Sequence, residues 1–292
     1  MAATADNLLG MPRTALEAWF DERGHQRFRA RQLMQWLHQR QILDPAQLTD
    51  LSKGLRMELA NAACFEPPKV ITRHDSADGT VKWLLAATGG QALETVFISS
   101  QVGCALDCAF CAPAQQGFNS NLTSAEIIGQ VWHAIHALPR RENGLPAVTN
   151  VVLMGMGEPL ANYREVVPAM QIMLDDYALG LSRRRVTLST SGLVPQIDKL
   201  ATECNVSLAV SLHAPTNELR DRLVPINRRY PIEDLLSACW RYAQAHTKRH
   251  ITFEYVMLKG VNDSSAEANA LVRLLRGRPA KVNLIPFNPF PG

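Results

Sequence analysis

The chain has 292 residues, of which 47% are hydrophobic and 20% are charged. This composition is typical of a globular protein. The length suffices for one large domain and a small one, since domains usually hold about 100–200 residues. The formal net charge of +3 is too small to indicate a polyanion partner unless the basic residues gather in patches.

No segment of the sequence predicts export or membrane insertion. The first residues carry no basic stretch followed by a long apolar run, so a secretory signal is not predicted. Gly, Pro or charged residues interrupt every apolar stretch well before the roughly 20 residues that span a membrane. We therefore expect a cytoplasmic protein with no membrane partner.

Two gatherings of basic residues are candidates for a nucleic-acid surface. The first lies between Arg23 and Arg40 and includes His25, Arg27, Arg29, Arg31 and His38. The second is Arg183-Arg184-Arg185. A solvated helix face or strand end is the more common explanation of such a gathering, and charge alone does not decide between the two interpretations.

Residues 1–65 are predicted to form a small helical domain. Apolar residues recur at helical spacing in three stripes. The stripes are Leu16, Trp19 and Phe20; Leu33, Trp36 and Leu37; and Leu48, Leu51 and Leu55. Glu66-Pro67-Pro68 ends this domain. Residues 66–98 then alternate polar and apolar around Asp78-Gly79, which predicts a β extension with strands at Lys82–Leu85 and Glu94–Ile98.

Residues 99–292 repeat a pattern of strand, polar motif and helix. Apolar, β-branched runs predict strands at Asn150–Met154, Arg185–Leu188, Val206–Val210, Ile251–Met257 and Lys281–Ile285. Helices are predicted after the capping box Thr123–Glu126, at Pro231 and at Asp263. Buried strands alternating with helices are typical of a parallel sheet covered by helices. About six such units predict an α/β fold, a partial (β/α)6 barrel rather than a full eight-stranded barrel.

Three of the six cysteines form the spacing Cx3CxxC, directly after the first strand of this repeat. They are Cys104, Cys108 and Cys111. Thiolates are the usual ligands of iron–sulfur clusters, and a cubane has four iron corners. Three cysteines leave one iron open for the amino and carboxylate groups of S-adenosylmethionine (SAM). An electron from such a cluster can break the sulfonium C–S bond of SAM and give a 5′-deoxyadenosyl radical.

A structural zinc site is the alternative interpretation of these cysteines. It normally takes four protein ligands, usually as paired CxxC or CxxC/HxxxH spacings. No second pair follows in this sequence, because Cys204 and Cys239 are isolated and predicted to be buried apolar cysteines. We therefore favour a [4Fe–4S] cluster.

Polar motifs follow four of the predicted strands, at the C-terminal face where barrel enzymes build their sites. The motifs are Gly155–Pro159, Ser189–Gly192, Ser211–His213 and Asn288–Pro291. Glu158 offers a carboxylate to the amino group of SAM, and the serine hydroxyls and the Asn288 amide can hold ribose or adenine edges. Each of these residues alone is more often an ordinary loop residue, and His213 is as readily a satisfied core histidine.

In this order the motifs resemble one family, the radical SAM adenine-C2 methyltransferases of 23S rRNA and tRNA with their C8-methylating relatives. The matching stretches cover almost the whole chain. They are Ser99–Cys104, Ala114–Asn119, Asn150–Pro159, Arg184–Gly192, Ser211–Pro215, Val224–Asn227, Glu254–Met257 and Asn283–Gly292. The helical N-terminal unit resembles the RNA-binding helix-hairpin-helix domain of that family. The C2 branch fits better than the C8 branch.

The resemblance implies a site, cofactors and partners. Its cofactors are a [4Fe–4S] cluster held by Cys104, Cys108 and Cys111, and SAM. Its SAM-contacting positions are Gly157, Glu158, Ser189, Ser211, Leu212, His213 and Asn288, and its general base is Glu94. The implied substrates are an adenosine in the peptidyl-transferase region of 23S rRNA and the adenosine after the anticodon of tRNA. A flavodoxin-type electron donor and a monomeric state are also expected.

The family mechanism is covalent, and two of its cysteines have no counterpart here. A methyl-carrying cysteine near the C-terminus and a resolving cysteine upstream of the cluster loop form and release an adduct with a base turned out of its stack. The sequence ends at Gly292 before the first, and Ile98 runs directly into Ser99 where the family has a loop ending in the second. Cys64, Cys204 and Cys239 match neither position. Either a complete methyltransferase has further segments there, which we favour, or this is a shortened homologue that cannot complete methyl transfer.

Two other functions stay open. One is a radical SAM enzyme of another reaction type, and the other is an RNA-binding module with a vestigial cluster. Cys108→Ala separates them, because RNA binding survives this change in a binding module whereas both enzymes lose activity.

Overall fold

The computed structural model describes residues 5–77, 80–87, 91–95, 98–138, 148–245 and 250–290, with the backbone alone at 87 and 91–95. The predicted turn Asp78-Gly79, residues 96–97 of one predicted strand, and Pro291 lie outside the described residues. The strands are β1 (Asp6–Asn7), β2 (Ala63–Cys64), β3 (Val70–Asp75), β4 (Val81–Ala87), β5 (Gln91–Thr95), β6 (Gln101–Gly103), β7 (Phe118–Asn121), β8 (Val151–Leu153), β9 (Val186–Thr190), β10 (Ser207–Ser211), β11 (Ile251–Met257) and β12 (Ala280–Pro286). The helices are α1 (Arg13–Asp21), α2 (Phe28–Met34), α3 (Lys53–Ala62), α4 (Ala112–Gln115), α5 (Ser124–Ala137), α6 (Tyr163–Leu174), α7 (Val194–Glu203), α8 (Asn217–Leu223), α9 (Ile232–Gln244) and α10 (Ser265–Leu275).

The chain divides into two units. The first is drawn from residues 1–99, 122–151 and 164–186, and the second from residues 100–121, 152–163 and 187–292. None of the helices in the described residues is long and apolar enough to cross a bilayer. The boundaries at residues 65 and 98 that the sequence indicated for separate domains stay a prediction.

Amphipathic helices build the first unit. The predicted stripe of α1 is buried, and α2 continues into a π-helical turn, Gln35–Gln39, whose Trp36 and Leu37 are buried. Trp132 of α5 donates its indole N–H to the carbonyl of Leu37 at 3.0 Å. The third predicted stripe is not one helix, because the 3-10 turn Pro45–Gln47 and the N-cap Ser52 start α3 only after Leu48 and Leu51.

The first unit also contains a three-stranded antiparallel sheet in the order β3-β4-β5. Alternating polar and apolar residues predicted strands here, and β4 extends the predicted strand Lys82–Leu85 at both ends. The backbone register places Glu94 opposite Leu84. The side chain of Glu94 lies outside the described part of the chain.

The second unit is built on a five-stranded sheet in the order β12-β11-β10-β9-β8, in which β9 to β12 are parallel. Its strands carry buried apolar residues such as Leu188, Val210 and Phe253, as near-continuous apolar runs require. The predicted α/β fold, with a parallel sheet and a helical N-terminal region, is confirmed. The predicted strand positions agree with β8 to β12 within two residues at each end.

The strand before the cysteines differs from the simple six-stranded expectation. β6 has three residues and pairs antiparallel with β7 rather than joining the five-stranded sheet in the described chain. The amides of Ser100 and Gln101 nevertheless donate to the carbonyl of Met156 at 3.0 and 3.2 Å. The start of β6 therefore lies beside the loop that follows β8.

Candidate functional site

The three cysteines of the Cx3CxxC motif lie in an ordered loop between β6 and α4. The amide of Cys104 donates to the carbonyl of Gly117 at 3.0 Å, and the amide of Cys111 donates to the carbonyl of Cys108 at 3.1 Å. Gly103, just before the loop, has a φ of 72°, and a Cβ there would lie 1.8 Å from the carbonyl oxygen of Gly117. Glycine is therefore required for the loop to leave β6 in this direction.

The cysteine loop packs against the segment that follows β10. Cys108 is buried in a cluster with Ala214, Leu223 and Val224. The amide of Ala109 donates to the carbonyl of Leu223 at 3.1 Å. These contacts bring the loop and the end of α8 together in the second unit.

Burial makes the three thiols poor acids as long as the protein alone surrounds them. Burial, with smaller contributions from the charges of Cys111 and Cys104, raises the pKa of the Cys108 thiol to about 12. Burial also raises the pKa of the thiols of Cys104 and Cys111. Three thiolates at this place therefore need a positive partner that these residues do not supply.

The chemistry of this donor set fits an iron–sulfur cluster. No three His, Cys, Asp or Glu side chains in the described residues form a group that could hold a single metal ion. A [4Fe–4S] cluster makes a different demand, because each thiolate binds its own iron corner, and the irons supply the positive charge that buried thiolates require. Cys104, Cys108 and Cys111 are the residues that would hold it.

The loop after β8 carries the predicted Gly157 and Glu158. Gly157 has a φ of 95°, and a Cβ there would lie 2.5 Å from the Cβ of Gln101. The Gln101 side chain accepts a hydrogen bond from the amide of Glu158 at 2.8 Å and donates one to Asn121 at 2.8 Å. Gln101, which the sequence analysis did not single out, thus fixes this loop against β6 and β7.

The Glu158 carboxylate is buried and already bound to backbone groups. One oxygen accepts from the amide of Leu160 at 3.0 Å, and the other accepts from the amide of Ser191 at 2.7 Å. Burial raises the pKa of Glu158 to about 7, against the opposing effect of these two hydrogen bonds and of one with the Thr190 side chain. A carboxylate has about four acceptor positions, so these contacts orient the group and leave it able to accept a further donor.

The segment Ser211–His213 begins at the last residue of β10 and is hydrogen-bonded to β11. The amides of Leu212 and His213 donate to the carbonyl of Glu254 at 3.1 and 3.3 Å. Nδ1 of His213 accepts from the amide of Val256 at 3.0 Å, and burial lowers the pKa of His213 to about 3. His213 is therefore neutral and protonated at Nε2, and its ring lies edge-on to that of Phe110, with the ring centroids 4.3 Å apart.

The other predicted SAM contacts differ in exposure. Ser189 is buried near the end of β9, and the side chain of Leu212 is fully buried, so only its backbone could meet a ligand. Asn288 follows β12 and is exposed. All the predicted cluster ligands and SAM contacts belong to the second unit, whereas Glu94 lies in the first. Their roles stay predictions.

The structure adds polar residues that the sequence analysis missed. Glu254 on β11 pairs in register with Ser211 and with Asn283, and Asn283 donates its amide to the Glu254 carboxylate at 2.7 Å. Residues in register on parallel strands point to the same face, so these three form one polar row. A signal that could have found Glu254 is that it is the one charged residue of the strand Ile251–Met257.

The basic residues between Arg23 and Arg40 differ in exposure and in the partners of their charges. His38 is 2% exposed, and burial lowers its pKa to about 4, so it adds no charge to a surface near neutral pH. Arg27 is paired with Asp21 at 2.9 Å, and His25 contacts Glu58 at 2.8 Å. Arg29 and Arg40 instead lie over the aromatic rings of Phe28 and Trp36, and Arg23 lies over the ring of Trp19 while also pairing with Asp6 at 3.8 Å.

Comparisons with known proteins cover nearly the whole chain. Residues 6–65 match the family model described as the ribosomal RNA large subunit methyltransferase N-terminal domain, and residues 98–271 match the radical SAM superfamily. The dual-specificity RNA methyltransferase RlmN of Marinobacter nauticus is 52% identical over 302 residues, covering 99% of this chain and 82% of that protein. The chain belongs to the RlmN family of radical SAM RNA methyltransferases.

Two further relatives agree with this membership. The RlmN of Alcanivorax borkumensis is 52% identical over 98% of this chain and 78% of that protein. The crystal structure of a radical SAM methyltransferase from Sphaerobacter thermophilus is 43% identical, with a TM-score of 0.88 over 98% of this chain and 86% of that one. The family resemblance seen in the motifs is confirmed. Radical SAM enzymes use a [4Fe–4S] cluster and SAM, so both expected cofactors are those of the family.

Proposed function

We propose that this protein transfers a methyl group from SAM to C2 of an adenosine in 23S rRNA and in tRNA. The observation that carries the proposal is the three-cysteine loop, which lies in the same unit as the strand ends bearing Glu158, Ser189 and Ser211. The RlmN relatives, which are named dual-specificity RNA methyltransferases, support RNA as the substrate class. The closer fit of the sequence motifs to the C2 branch than to the C8 branch supports C2 as the position.

The site residues divide into two tasks. Cys104, Cys108 and Cys111 hold the cluster, which when bound supplies the electron that cleaves SAM. Glu158, oriented by the amides of Leu160 and Ser191, accepts a hydrogen bond from the amino group of SAM. Gly157, Ser189, Ser211, Leu212, His213 and Asn288 contact the rest of SAM in this proposal.

The helical N-terminal region is proposed to bind the RNA. Arg23 lies 3.8 Å from the centroid of Trp19, Arg40 lies 4.0 Å from the centroid of Trp36, and Phe28 is 42% exposed beside Arg29. Guanidinium groups neutralise phosphates, and exposed aromatic rings and arginines stack on unpaired bases. A surface of this kind suits a single-stranded loop whose adenosine can be turned out.

The covalent route is a further part of the proposal. In this route Glu94 acts as the general base. The route also needs a methyl-carrying cysteine and a resolving cysteine, and neither is among the six cysteines of this sequence. Cys204 and Cys239 are buried and do not suit either role. The intact mass of the demetallated natural gene product, compared with 32.3 kDa for these 292 residues, tests this part, since a larger mass is expected.

The reaction itself is tested on the RNA product. The cluster-loaded gene product is incubated with SAM, a reduced flavodoxin-type donor and an unmodified 23S rRNA fragment or tRNA, and the digested nucleosides are separated. We expect 2-methyladenosine with wild-type protein and with the Cys204→Ala control, and none with Cys108→Ala. The 8-methyl isomer would contradict the proposed position. We also propose a monomeric state, which size-exclusion chromatography of the purified protein tests, and a cytoplasmic location, which fractionation of the source cells tests.

A further inference from the structure

Arg220 is a buried arginine at the carboxyl edge of the parallel sheet. It lies on α8 and is 0% exposed. Its guanidinium makes four hydrogen bonds: Nε to the carbonyl of Leu212 at 3.1 Å, Nη1 to Oδ1 of Asn227 at 2.9 Å, and Nη2 to the carbonyls of Ser191 and Ser211 at 2.7 and 2.9 Å. All four acceptors are neutral.

A buried cation bound only to neutral acceptors is an expensive arrangement. Removing a charge from water costs free energy, and neutral acceptors offset this cost less completely than a carboxylate does. Burial accordingly lowers the pKa of Arg220 to about 10. The gain is geometric, because the rigid guanidinium fork can bind several acceptors in fixed directions at once, which neither lysine nor glutamine can do.

Three of the four acceptors are backbone carbonyls where two strands end. Ser191 directly follows β9, Ser211 is the last residue of β10, and Leu212 follows it. The amides of Leu212 and His213 donate to the carbonyl of Glu254, and Asn262 donates to the carbonyl of His213 at 2.9 Å. His213 has a φ of 58°, a conformation that a residue other than glycine adopts only when its surroundings enforce it.

The helix that carries Arg220 also meets the cysteine loop. Its last residue, Leu223, accepts the hydrogen bond from the amide of Ala109, which lies between Cys108 and Cys111. α8 therefore connects the loop proposed to hold the cluster with the strand ends proposed to hold SAM. The distance between these two parts decides whether SAM meets an open iron corner.

We propose that Arg220 is a positioning residue that aligns the SAM-contacting ends of β9 and β10 with the cysteine loop. The inference rests on the proposed function, because it takes the cluster and SAM to bind at these residues. Arg220 itself touches neither cofactor in this proposal. It acts through the carbonyls of Ser191, Ser211 and Leu212.

The experiment measures SAM affinity rather than turnover. Wild-type and Arg220→Lys proteins are loaded with the cluster without oxygen, and SAM binding is measured by equilibrium dialysis and by the change that SAM causes in the EPR spectrum of the reduced cluster. Lysine keeps the charge but has no planar fork for four acceptors. We expect the Kd for SAM to rise on the order of tenfold and the SAM-induced spectral change to be altered, with the cluster still bound.

Tyr242→Phe is the matched structural control. The buried Tyr242 hydroxyl accepts from the amide of Val206 at 3.1 Å and donates to its carbonyl at 2.8 Å, at the opposite end of β10. This variant is expected to lower the Tm while leaving the Kd for SAM within twofold of wild type. A Tyr242→Phe variant that weakens SAM binding as much as Arg220→Lys does would overturn the positioning role, since loss of stability would then explain both.

A milder variant decides the question if Arg220→Lys does not fold. Of the four hydrogen-bond acceptors of Arg220, Asn227→Ala removes only the one that binds Nη1. This variant is expected to raise the Kd for SAM several-fold. Wild-type affinity for SAM in this variant, or in a folded Arg220→Lys protein, would refute the inference. A wild-type protein that binds the cluster but no SAM would instead refute the proposed function.

Discussion

The carboxylate of Glu158 accepts a hydrogen bond of 2.7 Å from the amide of Ser191. This contact joins the loop after β8 to the segment after β9, two motifs separated by some thirty residues of sequence. Arg220 donates a hydrogen bond to the carbonyl of the same Ser191 at 2.7 Å. The backbone N–H and C=O of Ser191 are therefore both bound by buried ionisable side chains. These contacts fix the loop after β8 and the segment after β9 at the carboxyl edge of the sheet.

Gly157→Ala is expected to damage this edge. An alanine at a φ of 95° is strained by about 1–3 kcal/mol, and its Cβ would also collide with Gln101, which orients the amide of Glu158. We expect a lower Tm and weaker SAM binding by the cluster-loaded protein. Gly180→Ala is the control, because Gly180 also has a positive φ, 60°, but has nothing within 4 Å of its Cβ position. Equal losses in the two variants would show that the contact with Gln101 is irrelevant.

Cys108→Ala is expected to abolish stable cluster binding. Cys108 is the most deeply buried ligand of the three, and two thiolates leave two iron corners of a cubane without protein ligands. Iron and sulfide content per chain, with the visible absorbance of the cluster, is the measurement. Cys204→Ala, which removes a buried thiol outside the motif, should keep the wild-type iron content. Full iron content in Cys108→Ala would contradict the assignment of the ligands.

His38 is expected to make the protein less stable in acid. Its pKa is about 4 in the folded chain and about 6.5 in the unfolded chain. Between these values the unfolded chain binds a proton that the folded chain does not. The free energy of unfolding therefore falls as the pH drops through this window, by about 3 kcal/mol in total.

Urea unfolding at several pH values from about 7 to about 4 measures this effect. His38→Leu should lose the share of the pH dependence that His38 contributes, since both ring nitrogens of His38 are buried without a hydrogen-bond partner in the described structure. The share of His213, whose pKa burial lowers to about 3, should remain. His74→Gln is the control, because His74 is exposed, and this variant should behave as wild type. An unchanged pH dependence in His38→Leu would contradict the prediction.

Arg40→Ala is expected to weaken RNA binding more than Arg27→Ala. Both arginines are exposed in the helical region, but the charge of Arg27 is already compensated by Asp21 at 2.9 Å. Removing a phosphate contact should lower affinity several-fold and reduce the slope of log K against log salt by about 1. Fluorescence anisotropy with a tRNA anticodon stem-loop at several salt concentrations measures both. Equal effects of the two substitutions would show that this face is not the RNA surface.

The strands and the cysteine loop were predictable from sequence because their signals are local. Apolar β-branched runs gave β8 to β12 within two residues, and Thr123 and Glu126 form the predicted capping box. Helix starts were less certain, since α10 is capped by Ser264 rather than by Asp263. The burial of His38 was not predictable either, because the predicted apolar stripe of Leu33, Trp36 and Leu37 does not include it, whereas His38 is buried in the π-helical turn Gln35–Gln39.

Arg220 and Gln101 were missed because their roles depend on contacts between distant segments. Gln101 binds Glu158 across 57 residues of sequence, and Arg220 binds Ser191 across 29. No local period or spacing marks an arginine that binds backbone carbonyls instead of facing solvent. Glu94 was named only through the resemblance to a family, since an isolated carboxylate on a strand gives no local sign of a catalytic role.

RNA methylation by the radical route is tested most directly by following both products of SAM in one reaction. The cluster-loaded natural gene product is incubated with reductant, RNA and SAM labelled in its methyl group, and 5′-deoxyadenosine and labelled RNA are quantified. We predict that wild-type protein forms both and that Cys108→Ala forms neither. Formation of 5′-deoxyadenosine with no label in the RNA would contradict methyl transfer and indicate another radical SAM reaction. Absence of both products, with RNA still bound, would indicate a binding module.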